Sequence, residues 1–305
     1  MTERALRGKV VAVTGAGRGI GREIALLAAR EGAAVVVNDL GSSIGGDGRD
    51  AGPAESVVAE IREQGGRACA NFASIAAPEQ AASIVADAIR EFGQLDCVVN
   101  NAGIIRDRMF HKMSNADWHD VINVHLNGYF YVSRAAAEHF RARGSGCFVH
   151  FASTSGLIGN VAQSSYSAAK LGVVALSKAI ALDMERFGVR SNCIAPFAWS
   201  RMAETIQPSS EAEKLRIERF KTMSAEKVAP LAVFLCSDRA AEVNAQIFCV
   251  RKNEIFLFSH PRPIRSMQRA DGWTPESLAE QLLPAMKPSF QPLDVSADVF
   301  AWDPI

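Results

Sequence analysis

The stretch Lys9-Val10-Val11-Ala12-Val13-Thr14-Gly15-Ala16-Gly17-Arg18-Gly19-Ile20-Gly21 decides the fold. From Lys9 to Thr14 the run is almost continuously apolar, the pattern of a parallel strand buried on both faces. Gly15, Gly19 and Gly21 follow, and a helical pattern opens near residue 20. Glycine lets the backbone turn tightly and approach a pyrophosphate, while a helix N-terminus offers unpaired N–H groups and partial positive charge. The spacing Gly-x-x-x-Gly-x-Gly differs from Gly-x-Gly-x-x-Gly, and a plain strand-to-helix turn would also explain it. Its place directly after a strand favours a phosphate-binding turn, with Gly15, Arg18, Gly19, Ile20 and Gly21 as candidate cofactor contacts.

Outward from this stretch the same rhythm repeats. Ala34–Asn38, Arg67–Phe72, Leu95–Asn100, Cys147–Ala152, Arg190–Ile194 and Gln246–Val250 read as further strands. Helical patterns lie near 20–31, 54–64, 78–92, 117–142, 164–187 and 225–237. Such alternation predicts an α/β fold, a Rossmann-like doubly wound, seven-stranded parallel sheet with helices on both faces. Residues 1–251 are expected to form this domain and 252–305 a C-terminal extension packed on it, with one helix starting at Thr274-Pro275. The glycine-dense run Gly41 to Pro53 reads as a mobile surface loop placed beside the adenosine half of a cofactor.

The 305 residues carry 33 basic and 33 acidic side chains, so no electrostatic footprint for nucleic acid or an anionic membrane is expected. No apolar stretch reaches the roughly 18 residues of a membrane span. The N-terminus shows no signal-peptide pattern and Trp302-Asp303-Pro304-Ile305 is no peroxisomal address, so a cytoplasmic protein is expected. Six cysteines without a Cys-x-x-Cys pair read as buried small hydrophobes, neither disulfides nor metal ligands.

Asp39 closes the second strand about 20 residues past the glycine loop, where an acid binds the adenosine ribose hydroxyls and repels a 2′-phosphate. A strand-end cap is the plain alternative, and Arg18 could pair with that phosphate. The carboxylate occupies the phosphate position itself, which favours NAD. Farther along, Tyr166 and Lys170 lie four apart in Ser165-Tyr166-Ser167-Ala168-Ala169-Lys170, on one face of a helix. An ammonium there is expected to lower a phenol pKa of about 10 and make a usable acid/base. Ser153 stands thirteen residues before Tyr166.

These pieces, with Asn100-Asn101-Ala102-Gly103 and Ile194-Ala195-Pro196, resemble the short-chain dehydrogenase/reductase family over roughly residues 8–250. Val37-Asn38-Asp39-Leu40-Gly41, Ile104-Ile105-Arg106-Asp107-Arg108, Val124-His125-Leu126 and Ser200-Arg201-Met202 resemble more closely the (3R)-hydroxyacyl-CoA dehydrogenase branch found in peroxisomal multifunctional enzymes of type 2 and bacterial relatives. The resemblance implies hydride transfer between a nicotinamide and a secondary alcohol or ketone, probing first a 3-hydroxyacyl-CoA substrate and a homodimer or homotetramer. A hydroxysteroid or other secondary-alcohol dehydrogenase, and a silent NAD-binding redox sensor, are the alternatives. It gives Tyr166 the role of acid/base on the substrate oxygen, Lys170 that of tuning it and binding the nicotinamide ribose, and Ser153 a hydrogen bond to the same oxygen. Asn101, Ala102, Gly103 and Pro196 would support the cofactor pocket.

Two departures stand out. Where the family places an Asp for adenine, Ala73 and Ser74 stand, leaving Ser74 as the candidate contact. Where the family has a fourth catalytic residue, an Asn, His125 stands; as a proton relay it would titrate near pH 6.5 and give an acidic limb to turnover. His111, His119, His139, His150 and His260 read as satisfied core or surface groups, and no metal site is expected. Trp118 reads as packing, Trp199 equally as packing or substrate contact, and Arg201 as either a CoA-phosphate contact or a surface ion pair.

Overall fold

A computed structural model describes residues 4–199 and 211–305. Strands β1 (Val10–Thr14), β2 (Ala34–Asn38), β3 (Arg67–Asn71), β4 (Cys97–Asn100), β5 (Gly146–Phe151), β6 (Val189–Phe197) and β7 (Ile247–Arg251) all form. The helices are α1 (Gly19–Arg30), α2 (Gly52–Glu63), α3 (Pro78–Phe92), α4 (Asn115–Ile122), α5 (Gly128–Arg143), the short α6 (Thr154–Leu157), α7 (Ser164–Met184), α8 (Glu211–Lys221) and α9 (Ala229–Cys236). Strand order is β3-β2-β1-β4-β5-β6-β7-β8, all pairs parallel except the last.

The expected seven parallel strands are therefore present, but the sheet has eight. Strand β8 (Glu254–Phe258) turns back on β7 through Lys252-Asn253, with Lys252 at φ +57°. It lies in the segment expected to be an appendage, and it continues the sheet instead. Its inward side chains Phe256 and Phe258 pack with Phe300, which also meets Phe197. Buried Arg251 draws the chain end in, donating to the carbonyl oxygens of Phe300 and Trp302 and pairing with Glu254.

Each sheet face is closed by helices. Val11, Val13, Val35 and Val37 point to α1, α2 and α9, while Val10, Ala12, Val36 and Val98 point to α3, α5 and α7. This period-2 division of two apolar sets explains why the strands read as continuous apolar runs. The order reverses between β1 and β4, opening the crevice where such sheets bind ligands.

Three cysteines meet at the opposite end of the central strands. Cys97 and Cys147 are register partners on β4 and β5, and their sulfurs lie within 4.8 Å of each other and of Cys236. The Cys97 and Cys147 thiols donate to the Cys236 and Leu235 carbonyl oxygens, both at 3.2 Å, beside the Arg190 guanidinium on Leu235 at 2.9 Å. They satisfy carbonyls that the end of α9 leaves without helical partners. All six cysteines are free thiols.

Candidate active site

The crevice begins at the glycine turn. Gly15 has φ +64°, and a side chain there would stand 2.7 Å from the Ala102 Cα. At Gly21 a side chain would run into the Gly15 carbonyl, so the first turn of α1 can sit close against the loop. Asn101 braces the turn by donating to Thr14 O at 3.0 Å and Gly15 O at 3.1 Å. The Thr14 hydroxyl in return accepts from the backbone of Asn101 and Ala102. No side chain caps α1, so its positive N-terminus faces the crevice.

Asp39 caps the end of β2. Its Oδ2 accepts from Gly17 N at 2.8 Å and its Oδ1 from Gly41 N at 2.7 Å, tying two loops to the end of β2. It also lines the cavity. Arg18 stands 3.9 Å from Asp50, at the root of the loop that follows.

The loop that follows lies beside the crevice, where its position in the sequence puts it. Residues 42–47 fold across the crevice as one wall of a cavity of about 490 Å³. The Ile105 N–H donates to Ile44 O at 3.1 Å, Gly46 lies on Ile104, and Arg106 Nη2 reaches Asp47 at 3.5 Å and Asp120 at 3.6 Å. Arg106 thus joins the strap to the far side of the cavity, a role its place in the Arg106-Asp107-Arg108 run did not reveal. On the adenine side, Ala73, Ser74 and Ile75 line the wall; the Ser74 hydroxyl accepts from Ala76 N.

At the other end the reactive side chains meet. Ser153 follows β5 and caps α6, its Oγ accepting from Ser155 N at 3.1 Å and bonded to the Tyr166 phenol. Tyr166 and Lys170 share the inner face of α7 and line the cavity. Lys170 is 3% exposed. Its ammonium donates to Phe151 O at 2.5 Å and to the Tyr129 hydroxyl at 3.1 Å, and lies 5.7 Å from the Tyr166 ring centre.

Burial governs the titration of this group. It pulls Lys170 down to about 7 and pushes Tyr166 up to about 12, against the Ser153 hydrogen bond, which lowers it. The expected lowering of the phenol by the lysine is thus outweighed in this chain by desolvation, because the ammonium is turned toward Phe151 and Tyr129. Asp107 adds to the rise of Tyr166, and is itself raised by burial despite accepting from Gln163 Nε2 at 2.8 Å. Gln163 lies three residues before Tyr166, one helical turn away, a spacing that could have marked it.

His125 sits in a five-residue π turn, Asn123–Asn127, that interrupts the single helix expected over 117–142. Such bulges recur at functional sites. Its ring meets Tyr166 edge-on at 5.0 Å, and Gly103 is bare because a side chain would strike the imidazole. Nε2 lies 2.8 Å from Ile104 O, while Nδ1 is buried without a partner. Burial first, and Lys170 second, hold it well below 6.5. This direction moves any acidic limb that His125 contributes below the 6.5 of a free imidazole.

Trp118, Trp199, His139 and His150 do not line the cavity. Trp199 packs edge-on against Phe220, and Trp118 opens α4 partly exposed. His139 Nε2 accepts from Leu95 N, and His150 is buried beside Asn100. Ser200, Arg201 and Met202 lie outside the described residues. Pro196, near the end of β6, lines the cavity.

The family model for short chain dehydrogenases matches residues 9–211. The chain belongs to the short-chain dehydrogenase/reductase family. It is 42% identical over 275 residues to mouse peroxisomal multifunctional enzyme type 2, covering 90% of this chain but 36% of that one. This short-chain dehydrogenase thus spans about a third of the mouse protein. It is 40% identical over 287 residues to the hydroxyacyl-CoA dehydrogenase ChsB1 of Mycobacterium tuberculosis, covering 91% of this chain and 88% of that one. A crystal structure of a short chain dehydrogenase from Mycobacterium avium matches with a TM-score of 0.82 at 38% identity, over 94% of this chain and 97% of that one. The fold binds NAD(P) generally, and the uncapped α1 terminus, the bare glycine turn and the cavity along β1, β2 and β4 fit such a dinucleotide. No helix among the described residues is long and apolar enough to cross a membrane.

Proposed function

We propose that this oxidoreductase interconverts a 3-hydroxyacyl-CoA and its 3-oxoacyl-CoA with NAD as hydride carrier. The observation that carries the reading is the convergence of Ser153, Tyr166 and Lys170 at one end of a dinucleotide-sized cavity. Likeness to ChsB1 over nearly both full lengths supports the acyl-CoA class. Met109, Phe110 and Val161 stand exposed on the two segments that the Arg108–Gln163 bridge joins beside Tyr166, an apolar rim suited to an acyl chain.

The glycine turn would hold the pyrophosphate, Asp39 the adenosine ribose, and Lys170 the nicotinamide ribose. NAD, when bound, accepts the hydride from the alcohol carbon. Tyr166 takes the hydroxyl proton as that bond breaks, and gives it back in the reverse direction. Ser153 donates to the same oxygen, holding it as a carbonyl forms. Asp107 and Gln163 fix the segment beside Tyr166. Asp39 supports NAD over NADP, since a carboxylate held by two backbone N–H groups cannot swing away from a 2′-phosphate.

The test is absorbance of NADH with a panel of 3-hydroxyacyl-CoAs, hydroxysteroids and simple secondary alcohols. The reading expects the highest kcat/KM on a hydroxyacyl-CoA. Steroid preference would replace the substrate class, and no turnover with tight NAD binding would make the chain a redox sensor.

A further inference from the structure

We propose that Tyr129 is a positioning residue for Lys170: its hydroxyl, 3.1 Å from Nζ, holds the ammonium charged and aimed within the core. The inference rests on the dehydrogenase reading, in which Lys170 must carry a proton to assist Tyr166.

Tyr129 lies at the start of α5, directly after the π turn, and is fully buried. A buried phenol without a partner is costly, so its oxygen must be spent on something. Here it accepts from Lys170, whose other acceptor is Phe151 O. The same ammonium stands 4.8 Å from the Tyr129 ring centre, so the ring supplies both an oxygen and a π face. Two acceptors and the rings of Tyr129 and Tyr166 oppose the loss of hydration at this depth. Removing the hydroxyl takes away one of them and leaves the packing.

The surroundings leave Lys170 as the group that changes charge near neutrality. Tyr166 on the same helix and Cys193 on β6 are pushed up to about 12 by burial. His125 in the π turn is held well below 6.5, and His150 on β5, stacked on Tyr129, is pulled down to about 3. Tyr129 itself is raised well above 10. Asp107 acts on Tyr166. A hydrogen bond to a charged group favours that charge, so its loss moves the lysine downward by about one pH unit.

Tyr129→Phe tests this. The alkaline limb of kcat should move down by about one pH unit, and kcat at pH 7 should fall several-fold with KM for substrate little changed. In parallel, the 13Cε signal of Lys170 in lysine-labelled protein, assigned by its absence in Lys170→Met, should titrate about one unit lower in Tyr129→Phe. This second readout needs no turnover. If the wild type oxidises no alcohol, the dehydrogenase reading fails while the titration still decides Tyr129. If the Lys170 midpoints and pH profiles of wild type and Tyr129→Phe superimpose, Tyr129 is packing alone and the proposal is overturned.

Discussion

Lys170→Met should abolish most turnover and make the stability difference from the wild type depend steeply on pH. The lysine titrates at about 7 in the fold, pulled down by burial from 10.5. A base whose folded value is depressed binds fewer protons folded than unfolded between those two values, so stability rises with pH across that window. At pH 7 the unfolded lysine is fully charged while the folded one is half charged. The buried lysine then costs about 4 kcal/mol, and by pH 10 about 1 kcal/mol. Met fills the stem of the side chain but leaves Phe151 O and the Tyr129 hydroxyl without their donor, which returns about 1–3 kcal/mol per orphaned group. The sharper readout is the difference between the two proteins, because every other titrating group cancels. Urea unfolding at pH 7, 8, 9 and 10 should show the stability of Lys170→Met relative to the wild type falling by about 3 kcal/mol over the series. A difference that stays constant with pH would refute a lysine held at depressed pKa in the core.

Other outcomes follow from the crevice. Asp39→Asn removes the charge proposed to face a 2′-phosphate, so the NAD-to-NADP ratio of kcat/KM should fall toward one, with NAD kcat/KM falling too as Gly17 or Gly41 loses its acceptor; a wild type that prefers NADP would overturn the assignment. Arg106→Ala frees the strap over the cavity, so NADH dissociation in stopped flow should quicken several-fold while stability changes by no more than about 1 kcal/mol, as for exposed ion pairs. An unchanged rate would mean that Ile44 and Gly46 hold the strap alone. Helices α5 and α7 leave Phe130, Leu171 and Leu182 exposed at 47%, 50% and 70%, so light scattering should give a dimer or tetramer that Leu171→Arg weakens; a monomeric wild type at micromolar concentration would count against it.

How much of this was readable in the chain depended on whether the signal was local. Parallel strands buried on both faces leave continuous apolar runs, and β1 to β7 were legible for that reason. Strand β8 was not: it follows a Lys252-Asn253 turn that lacks glycine, and the prolines beyond it suggested an irregular tail. The π turn at Asn123–Asn127 left no mark because one extra residue in a helix disturbs no composition. Ser153, Tyr166 and Lys170 share one short region of sequence. Tyr129 stands 41 residues from Lys170, and only the packing of α5 against α7 and β5 brings its hydroxyl to the ammonium. Nor did the glycine-dense loop show its contacts, since Arg106, which reaches it, lies 59 residues from Asp47. For Tyr166, spacing shows a neighbouring charge but not the desolvation that raises the phenol.

The most direct measurement of the central claim is NADH formation from NAD and a (3R)-3-hydroxyacyl-CoA by wild type and Tyr166→Phe, with NAD affinity measured for both. Removing the phenol should lower kcat by about 10²–10⁴-fold while NAD affinity stays close to that of the wild type, because the phenol moves the proton and contributes little to holding the cofactor. Turnover of Tyr166→Phe within a few-fold of the wild type would contradict the account.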